Sequence, residues 1–249
     1  MAMISERVAD GVYRCGSERV NWYLLETADG ITVVDTGFPA HWEQFDSQLE
    51  TMGYGVADVD ACILTHAHPD HAGFAERLHR EAGVPVWVHE ADAAHARGDA
   101  EVPLTEGLVR LWRPELARYA VEFVRSGGLS VPPLTTFRTV VDGETLDVPG
   151  SPRVVHTPGH SEGHVAYHFP EQEVLLCGDE LVTTDFVAGR GHRPQLLADW
   201  FNPDHDRAYE SLSRLESIGE VLILPGHGEP WHGHTETAVE LAREREKRK

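Results

Sequence analysis

Four potential metal ligands follow an apolar run in the first third of the chain. The run Ala61–Leu64 predicts a buried strand, and the next residues include His66, His68, Asp70 and His71. Histidine and aspartate at the end of a buried strand cost free energy unless another group pairs with them. Metal ions would provide that pairing, so this segment predicts a metal site.

The spacing of these ligands indicates two neighbouring ions. His66 and His68 are two positions apart, so on an extended backbone their side chains point to the same side and can share one ion. Pro69 suits the first position of a helix, which predicts that a helix begins there. Asp70 and His71 would then lie at the helix entrance and face a second ion beside the first.

The composition limits the class of protein and its partners. The chain has 249 residues, 41% of them hydrophobic, which is enough to bury a core. The formal net charge of −20 disfavours nucleic acids and anionic membranes as partners, because both are bound through positive surfaces. Cys62 and Cys177 lie in apolar runs without a CxxC pair, which predicts buried free thiols. With no secretory leader pattern and no stretch able to span a bilayer, we expect a cytoplasmic protein.

Short apolar strands alternate with helical segments along most of the chain, which predicts an α/β layer architecture. Besides Ala61–Leu64, the predicted strands are Gly11–Arg14, Asn21–Leu25, Gly30–Asp35, Val84–Val88, Phe137–Val141, Glu144–Val148, Arg153–His156, His164–Phe169, Glu173–Cys177 and Glu220–Leu224. The predicted helices cover Ala40–Met52, the segment from Pro69 to Glu81, Asp204–Ile218 and the charged segment from Thr235.

Residues 103–133 interrupt this alternation. Apolar residues recur there at helical spacing, and Pro114 divides them into two predicted helices. We interpret the segment as a helical insertion between two halves of the chain. A lid over the site, an arm in a homodimer and ordinary core packing are its possible roles, and the sequence leaves them open.

The parts of the chain on either side of the insertion resemble each other. In the first part, one apolar strand ends at Asp35 and a later one leads into His66. In the second part, one apolar strand leads into Asp179 and a later one into His227. This repetition predicts a single domain over residues 1–249, made of two similar halves whose strand ends meet at one cleft.

Three further potential ligands lie far from the first four in sequence. His160, Asp179 and His227 each follow an apolar or β-branched run, and each is preceded by glycine. Glycine lets the backbone approach an ion closely and adopt turns that other residues avoid. We therefore expect these three side chains to complete the metal site.

The ordered set of motifs resembles the metallo-β-lactamase superfamily. The string HxHxDH is followed by a histidine, an aspartate and a last histidine in strand-end loops, and Asp35 in Val33–Gly37 matches the first motif of that family. The resemblance extends from about Val33 to His227. It implies an αβ/βα four-layer sandwich, with two mixed sheets face to face, helices outside and the site at one edge.

The resemblance also implies a role for each ligand position. Two divalent metal ions are expected, most simply zinc, with manganese or iron as alternatives. His66, His68 and His160 would hold the first ion, Asp70, His71 and His227 the second, and Asp179 would bridge the two. Asp35 would orient the metal loop through hydrogen bonds, and His164 would hydrogen-bond a ligand.

The same resemblance favours a hydrolase. Two ions about 4 Å apart can share a hydroxide that attacks a small acyl substrate, while Asp70 relays a proton to the leaving group. Asp179 counts against the β-lactamases, which generally lack the bridging aspartate, and His227 counts against mononuclear iron persulfide dioxygenases. These two classes and a non-catalytic metal-binding module remain alternatives to a glyoxalase II-like or lactonase-like hydrolase of a thioester, ester or lactone.

Candidate substrate contacts lie outside the ligand set. Arg190 and Arg193 are candidates for binding an anionic group, and Tyr167 for a position near the oxyanion. The aromatic candidates for lining an acyl pocket are Trp112, Trp200 and Phe201, with plain core packing as the alternative.

Overall fold

Two mixed β-sheets lie face to face at the centre of the molecule. The structure is a computed structural model and describes residues 3–100, 109–185 and 190–247. The seven-stranded sheet contains, in spatial order, β1 (Met3–Ala9), β2 (Val12–Ser17), β3 (Asn21–Thr27), β4 (Gly30–Val34), β5 (Val59–Ile63), β6 (Val86–His89) and β7 (Arg138–Val140). The five-stranded sheet contains β14 (Trp231–His234), β13 (Glu220–Pro225), β10 (Val174–Gly178), β9 (Val165–Phe169) and β8 (Arg153–His156). Two further strands, β11 (Val182–Asp185) and β12 (Arg190–Gln195), pair with each other.

Helices cover the outer face of each sheet. The α-helices of the described residues are α1 (Trp42–Met52), α2 (Ala75–Ala82), α3 (Ala93–Ala96), α4 (Pro114–Arg125), α5 (His205–Ser211) and α6 (Thr235–Glu246). Side chains alternate across a strand, so Val33 and Cys62 pack towards α1 and α2, whereas Val34 and Ile63 pack against the other sheet. The far side of the five-stranded sheet packs against α5 and α6. This order of layers confirms the predicted αβ/βα four-layer sandwich.

Parallel strand pairs in both sheets bring the ligand-bearing segments together. β4 pairs in parallel with β5, and β10 with β13. Parallel strands end on the same side of a sheet, and these four lead into Asp35, His66, Asp179 and His227 respectively. The topology thus directs distant parts of the sequence to one site. That the chain forms a single domain of two similar halves stays a prediction.

The helix predicted from Pro69 does not begin there. Helix α2 starts at Ala75, and the intervening residues form turns. The main-chain oxygen of His71 accepts hydrogen bonds from the N–H of Thr36 at 2.6 Å and from its hydroxyl at 2.9 Å. The N–H of Phe74 donates to the same hydroxyl at 3.2 Å. The prediction is wrong because the loop after β4 takes the main-chain groups that a helix would use for its own hydrogen bonds.

The segment Glu144–Val148 is also not a strand. Only Thr145 forms an isolated bridge, with Arg153. Leu146 is buried and alternates with exposed neighbours, which is the pattern of a strand, but the chain turns back when Ser151 donates to the oxygen of Val148 at 2.9 Å. The alternation therefore reflects burial of a short irregular segment.

The predicted insertion contains one α-helix and a short 3-10 helix in its described part. Residues 109–113 form a turn, so the first predicted helix is wrong there, and residues 103–108 lie outside the described residues. Proline disfavours a helical conformation at the residue before it, and Arg113 is extended, so α4 begins at Pro114. Leu116 of α4 is buried, and the ring of Phe123 lies 5.7 Å from that of Phe38. Helix α4 thus packs onto the body, while a role as lid or dimer arm stays a prediction.

Cys62 and Cys177 are buried free thiols, as predicted, and Cys15 is buried and free as well. Burial raises the pKa of the Cys15 thiol to about 12 and raises those of Cys62 and Cys177 further. Within the three described stretches of chain, no helix has the length and apolar character needed to cross a membrane.

Candidate metal centre

Seven side chains converge where the strand ends of the two sheets meet. Their nitrogen and oxygen atoms form overlapping groups in which all atoms lie within 4.8 Å of one another. The groups are His66, His68 and His160; His66, His71 and Asp179; and Asp70, His71 and His227. The structure thus brings together every residue predicted as a ligand, although their role as ligands stays a prediction.

The first group is a tight set of imidazoles. Nε2 of His160 lies 2.9 Å from Nδ1 of His68. The ring centroids of His66 and His160 are 4.7 Å apart, and those of His66 and His68 are 4.6 Å apart. Three imidazoles with converging nitrogens form one face of a tetrahedral site.

Asp179 lies between the two predicted ion sites. Its Oδ2 is 3.4 Å from Nε2 of His160 and 3.1 Å from Nε2 of His227. Its Oδ1 is 3.4 Å from Nε2 of His71. Asp70 completes the second group, with Oδ2 3.7 Å from Nε2 of His227. One carboxylate therefore faces donors of both groups, as a bridging ligand requires.

Several of the atoms that could bind a metal ion in this cluster are buried without a hydrogen-bond partner. They are Nε2 of His66, Nε2 of His71 and Oδ1 of Asp179. A buried polar atom left unpaired costs ~1–3 kcal/mol, so three in one place point to a missing partner. Divalent cations fit this role, since imidazole and carboxylate donors suit zinc, manganese and iron.

Asp35 orients His71, a member of the second group of potential ligands, through a hydrogen bond. Its Oδ2 accepts a hydrogen bond from Nδ1 of His71 at 2.8 Å, which directs Nε2 of that ring into the cluster. The same carboxylate accepts from the N–H and the hydroxyl of Thr65, each at 2.8 Å. Asp35 has φ +57°, a left-handed conformation that few residues other than glycine adopt, so the fold holds it there against a conformational cost.

The loop that carries His227 is held by strand β3 of the opposite sheet. The amide of Asn21 donates to the main-chain oxygens of Pro225 at 2.9 Å and Gly228 at 2.7 Å. The hydroxyl of Tyr23 also donates to the Pro225 oxygen, at 2.7 Å. Nδ1 of His227 donates to the main-chain oxygen of Arg19, which leaves Nε2 facing the cluster.

His164 contacts a predicted ligand through the backbone. Its Nε2 accepts a hydrogen bond from the N–H of Asp179 at 3.0 Å, so its Nδ1 carries the proton and donates to the hydroxyl of Thr157 at 2.8 Å. The imidazole therefore fixes the main chain at Asp179. Nδ1 of His160 is held in a comparable way by Oδ1 of Asn202, at 3.1 Å.

The two groups of donors differ in their affinity for protons. Burial lowers the pKa of His66 and His68 well below the usual value, and it also lowers that of His160. Burial opposes protonation of His71 too, but the carboxylates of Asp179, Asp35 and Asp70 outweigh it and raise the pKa to about 10. The pKa of His227 is raised mainly because Asp179 outweighs the effect of burial.

Tyr119 reaches the centre from the insertion, and the sequence did not indicate this. Its hydroxyl donates to Oδ2 of Asp70 at 2.8 Å. Burial and the neighbouring carboxylate raise the pKa of Tyr119 well above its usual value, so the phenol stays a donor. In the sequence, Tyr119 is one of several apolar residues at helical spacing, and that pattern does not distinguish a packing residue from one in the site.

Tyr167 does not lie where the prediction placed it. It is fully buried between the two sheets, and its hydroxyl donates to the main-chain oxygen of Leu64 at 3.0 Å. The prediction of a substrate contact is wrong because the alternation of β9 points this side chain into the core between the sheets.

Trp200 and Phe201 form part of an apolar wall beside the centre. Their rings stack at 4.3 Å, and they pack in one cluster with Tyr119, Leu116 and Leu197. Asn202 directly follows Phe201, and its side chain contacts His160. This contact joins the apolar wall to the candidate metal centre.

The other residues predicted to contact substrate, Trp112, Arg190 and Arg193, lie in different parts of the structure. Trp112 is 76% exposed in the turn before α4. Arg193 is exposed on β12, and the side chain of Arg190 lies outside the described part of the structure. Their predicted roles are not tested by these positions.

A two-sheet sandwich whose strand ends share one set of metal donors defines a class of metal-dependent proteins. The family model of the metallo-beta-lactamase superfamily matches residues 16–227, and the chain belongs to that superfamily, as its motifs predict.

Three relatives show the range of this similarity. The chain is 25% identical to the probable metallo-hydrolase YflN of Bacillus subtilis, over 90% of this chain and 86% of the relative. It is 30% identical to a hydroxyacylglutathione hydrolase of Rhodospirillum rubrum, over 76% of this chain but only 55% of that protein's length. Among solved structures, TTHA1623 in a di-iron-bound form is 26% identical and superposes with a TM-score of 0.64, covering 97% of this chain and 98% of the other.

Proposed function

We propose that this protein is a dinuclear metal-dependent hydrolase that cleaves a thioester, ester or lactone bond in a small acyl substrate. The observation that carries the proposal is the convergence of seven potential ligand side chains, three of which, His66, His71 and Asp179, each present a buried atom without a hydrogen-bond partner. The di-iron form of a relative of nearly the same length supports two ions, and the hydroxyacylglutathione hydrolase supports an acyl substrate.

The protein's own residues prepare this site for hydrolysis. Bound divalent ions supply a nucleophilic water at neutral pH and polarise the substrate carbonyl. Asp35 and the main-chain oxygen of Arg19 fix the orientation of His71 and His227. In this proposal Asp70 moves a proton to the leaving group, and the hydrogen bond from the Tyr119 hydroxyl to its Oδ2 supports that role by fixing the carboxylate.

The surroundings of the centre support an acyl group as the part of the substrate that binds. The apolar cluster that contains Tyr119 includes the buried side chains of Leu116 and Leu197. Trp200 and Phe201 pack against this cluster and are partly buried. Apolar walls with a few polar groups are typical of sites for small organic ligands. The wall thus offers apolar contact directly beside the proposed reacting groups.

The proposal is tested by metal analysis combined with a substrate panel. We expect two divalent ions per chain, together with turnover of thioesters, esters or lactones and little turnover of a β-lactam. Asp179→Asn should lose both activity and the second ion. His232→Ala, a change at an exposed histidine on β14, is the matched control and should keep both.

Two results would contradict the proposal. One iron per chain with oxygen consumption would indicate a dioxygenase instead. Two bound ions without turnover of any acyl substrate would indicate a metal-binding module without catalysis.

A further inference from the structure

Asp92 connects the two loops that supply the first group of donors. It is fully buried and follows β6. Its Oδ2 accepts hydrogen bonds from the N–H of Ala67 at 3.0 Å and from the hydroxyl of Ser161 at 2.9 Å. Its Oδ1 accepts from the N–H of Gly163 at 2.8 Å.

The positions of these three donors in the sequence are informative. Ala67 lies between the predicted ligands His66 and His68, and Ser161 directly follows the predicted ligand His160. One carboxylate therefore fixes the distance between the two chain segments that hold the first ion. The donors of the second group, Asp70, His71 and His227, are held by other residues.

The backbone around Asp92 is built for close approach. A Cβ added to Gly163 would lie 2.5 Å from the main-chain nitrogen of Asp92 and 2.8 Å from its Oδ1. Such distances are too short for any side chain, so glycine is required for this contact. The close packing makes the hydrogen bonds of Asp92 part of a fixed geometry.

Both side-chain oxygens of Asp92 accept hydrogen bonds. Nδ1 of His95 also lies 4.0 Å from Oδ1 of Asp92. Three N–H and O–H groups point at the two oxygens, and an asparagine would turn an NH2 group towards at least one of them. An isosteric amide therefore cannot reproduce this connection.

We propose that Asp92 is a positioning residue that sets the affinity of the first metal site, formed by His66, His68 and His160, and leaves the second site intact. This rests on the proposed dinuclear centre. Residues that orient metal ligands through hydrogen bonds typically change metal affinity ~10- to 100-fold when they are substituted.

The test is the metal content and affinity of Asp92→Asn, measured with zinc and with cobalt as a spectroscopic probe. Wild type should bind two ions. Asp92→Asn should keep one ion at wild-type affinity and bind the other at least ~10-fold more weakly, with a matching change in the cobalt absorption spectrum. Ser161→Ala, which removes one hydrogen bond and leaves no opposed donors, should weaken the same ion less.

Asp60→Asn is the matched control. Asp60 also accepts a backbone hydrogen bond, from Ile31 at 2.9 Å, but away from the centre, and this variant should bind two ions like wild type. If Asp92→Asn is too unstable to purify, Ser161→Ala alone decides, because unchanged affinity for both ions would overturn the inference.

The outcomes separate this inference from the proposed function. If Asp92→Asn lowered the affinity for both ions equally, Asp92 would have a general structural role and the inference would be overturned. Unchanged affinity for both ions would overturn it as well. If wild type itself does not bind two ions, the dinuclear centre is refuted, and the inference falls with it.

Discussion

The hydroxyl of Tyr119 donates a hydrogen bond to Oδ2 of Asp70 at 2.8 Å, so helix α4 reaches the candidate metal centre. Helix α4 is also held by Arg19, whose guanidinium lies 3.1 Å from Glu122 and 3.6 Å from Glu115. The main-chain oxygen of Arg19 accepts from Nδ1 of His227. Helix α4 is thus joined directly to Asp70 and, through Arg19, to His227, two of the predicted ligands of the second ion.

Loss of the Tyr119 hydroxyl should reduce catalysis without removing metal. A hydrogen bond to a charged group contributes ~1.5–3 kcal/mol, so Tyr119→Phe should lower kcat/KM by about 10- to 150-fold. Both ions should remain by metal analysis. Tyr54→Phe is the control, since Tyr54 donates to the carboxylate of Glu26 at the same 2.8 Å far from the centre. Equal activity of the two variants would rule out a role for Tyr119.

Asp35 should determine the affinity of the second ion. Asp35→Asn places an amide NH2 group against one of the donors from Thr65 or His71, because all three of these hydrogen bonds need an acceptor. We expect metal affinity to fall by ~10- to 100-fold, measured by competition with a chelator. Asp58→Asn, at a carboxylate that accepts from Gly55 on the surface, should bind metal like wild type. Unchanged affinity in Asp35→Asn would contradict the role given to His71 orientation.

Metal loading should release protons, mainly from the second group. Without metal, the pKa of His71 is raised to about 10, so His71 holds a second ring proton at pH 7, and the raised pKa of His227 favours its protonation as well. An ion must displace these protons, whereas His66 and His68 have lowered pKa values and are already neutral. Calorimetry at pH 7 in buffers of different ionisation enthalpy should detect about one to two protons released per chain.

The pH dependence of this effect has a definite sign. The raised pKa of His71 stabilises the metal-free protein, fully below the unfolded value of about 6.5, and this contribution is lost as the pH rises through about 10. Because the second ion must displace the proton of His71, affinity for the second ion should increase with pH over that range. Affinity for the first ion, held by His66, His68 and His160, should change little. Two ions with the same pH dependence would contradict the difference between the groups.

The apolar wall should make activity depend on acyl chain length. Each buried CH2 contributes ~0.8 kcal/mol, so kcat/KM should rise up to about fourfold per CH2 across a series of linear acyl substrates. Trp200→Ala should flatten this dependence, because Trp200 and Phe201 stack in the wall. Trp231→Ala, at a partly buried tryptophan that packs on the outer helix layer, should keep the dependence of wild type. No dependence on chain length in wild type would argue against the wall as the acyl site.

Local patterns in the sequence predicted the α/β layers and the residues that converge at the candidate metal centre, whereas the four-layer arrangement followed from the resemblance to the superfamily. Apolar runs predicted most central strands, and the residues just after them supplied the donors, since a strand that ends in His or Asp is visible without knowledge of the rest. The false helix start at Pro69 arose because Thr36, from a different loop, takes the oxygen of His71. Such competition between distant segments is not encoded locally.

The residues that support the centre were harder to predict than the ligands. Asp92, Tyr119 and Asn202 act through contacts with residues 25, 49 and 42 positions away. None belongs to a motif, and each has an ordinary surface or core interpretation in the sequence. Tyr167 shows the converse error, because a tyrosine near the ligand loops in sequence points into the core instead.

The anchoring of the His227 loop on β3 has a consequence for the life of the protein in a cell. The predicted donors come from both sheets, so an ion held between them would cross-link segments that are far apart in the unfolded chain. Binding to the folded state alone stabilises it by RT ln(1 + [M]/Kd), ~2.7 kcal/mol at a hundredfold excess over Kd. Metal supply would then set how long each molecule survives proteolysis, and starvation for metal would reduce abundance as well as activity.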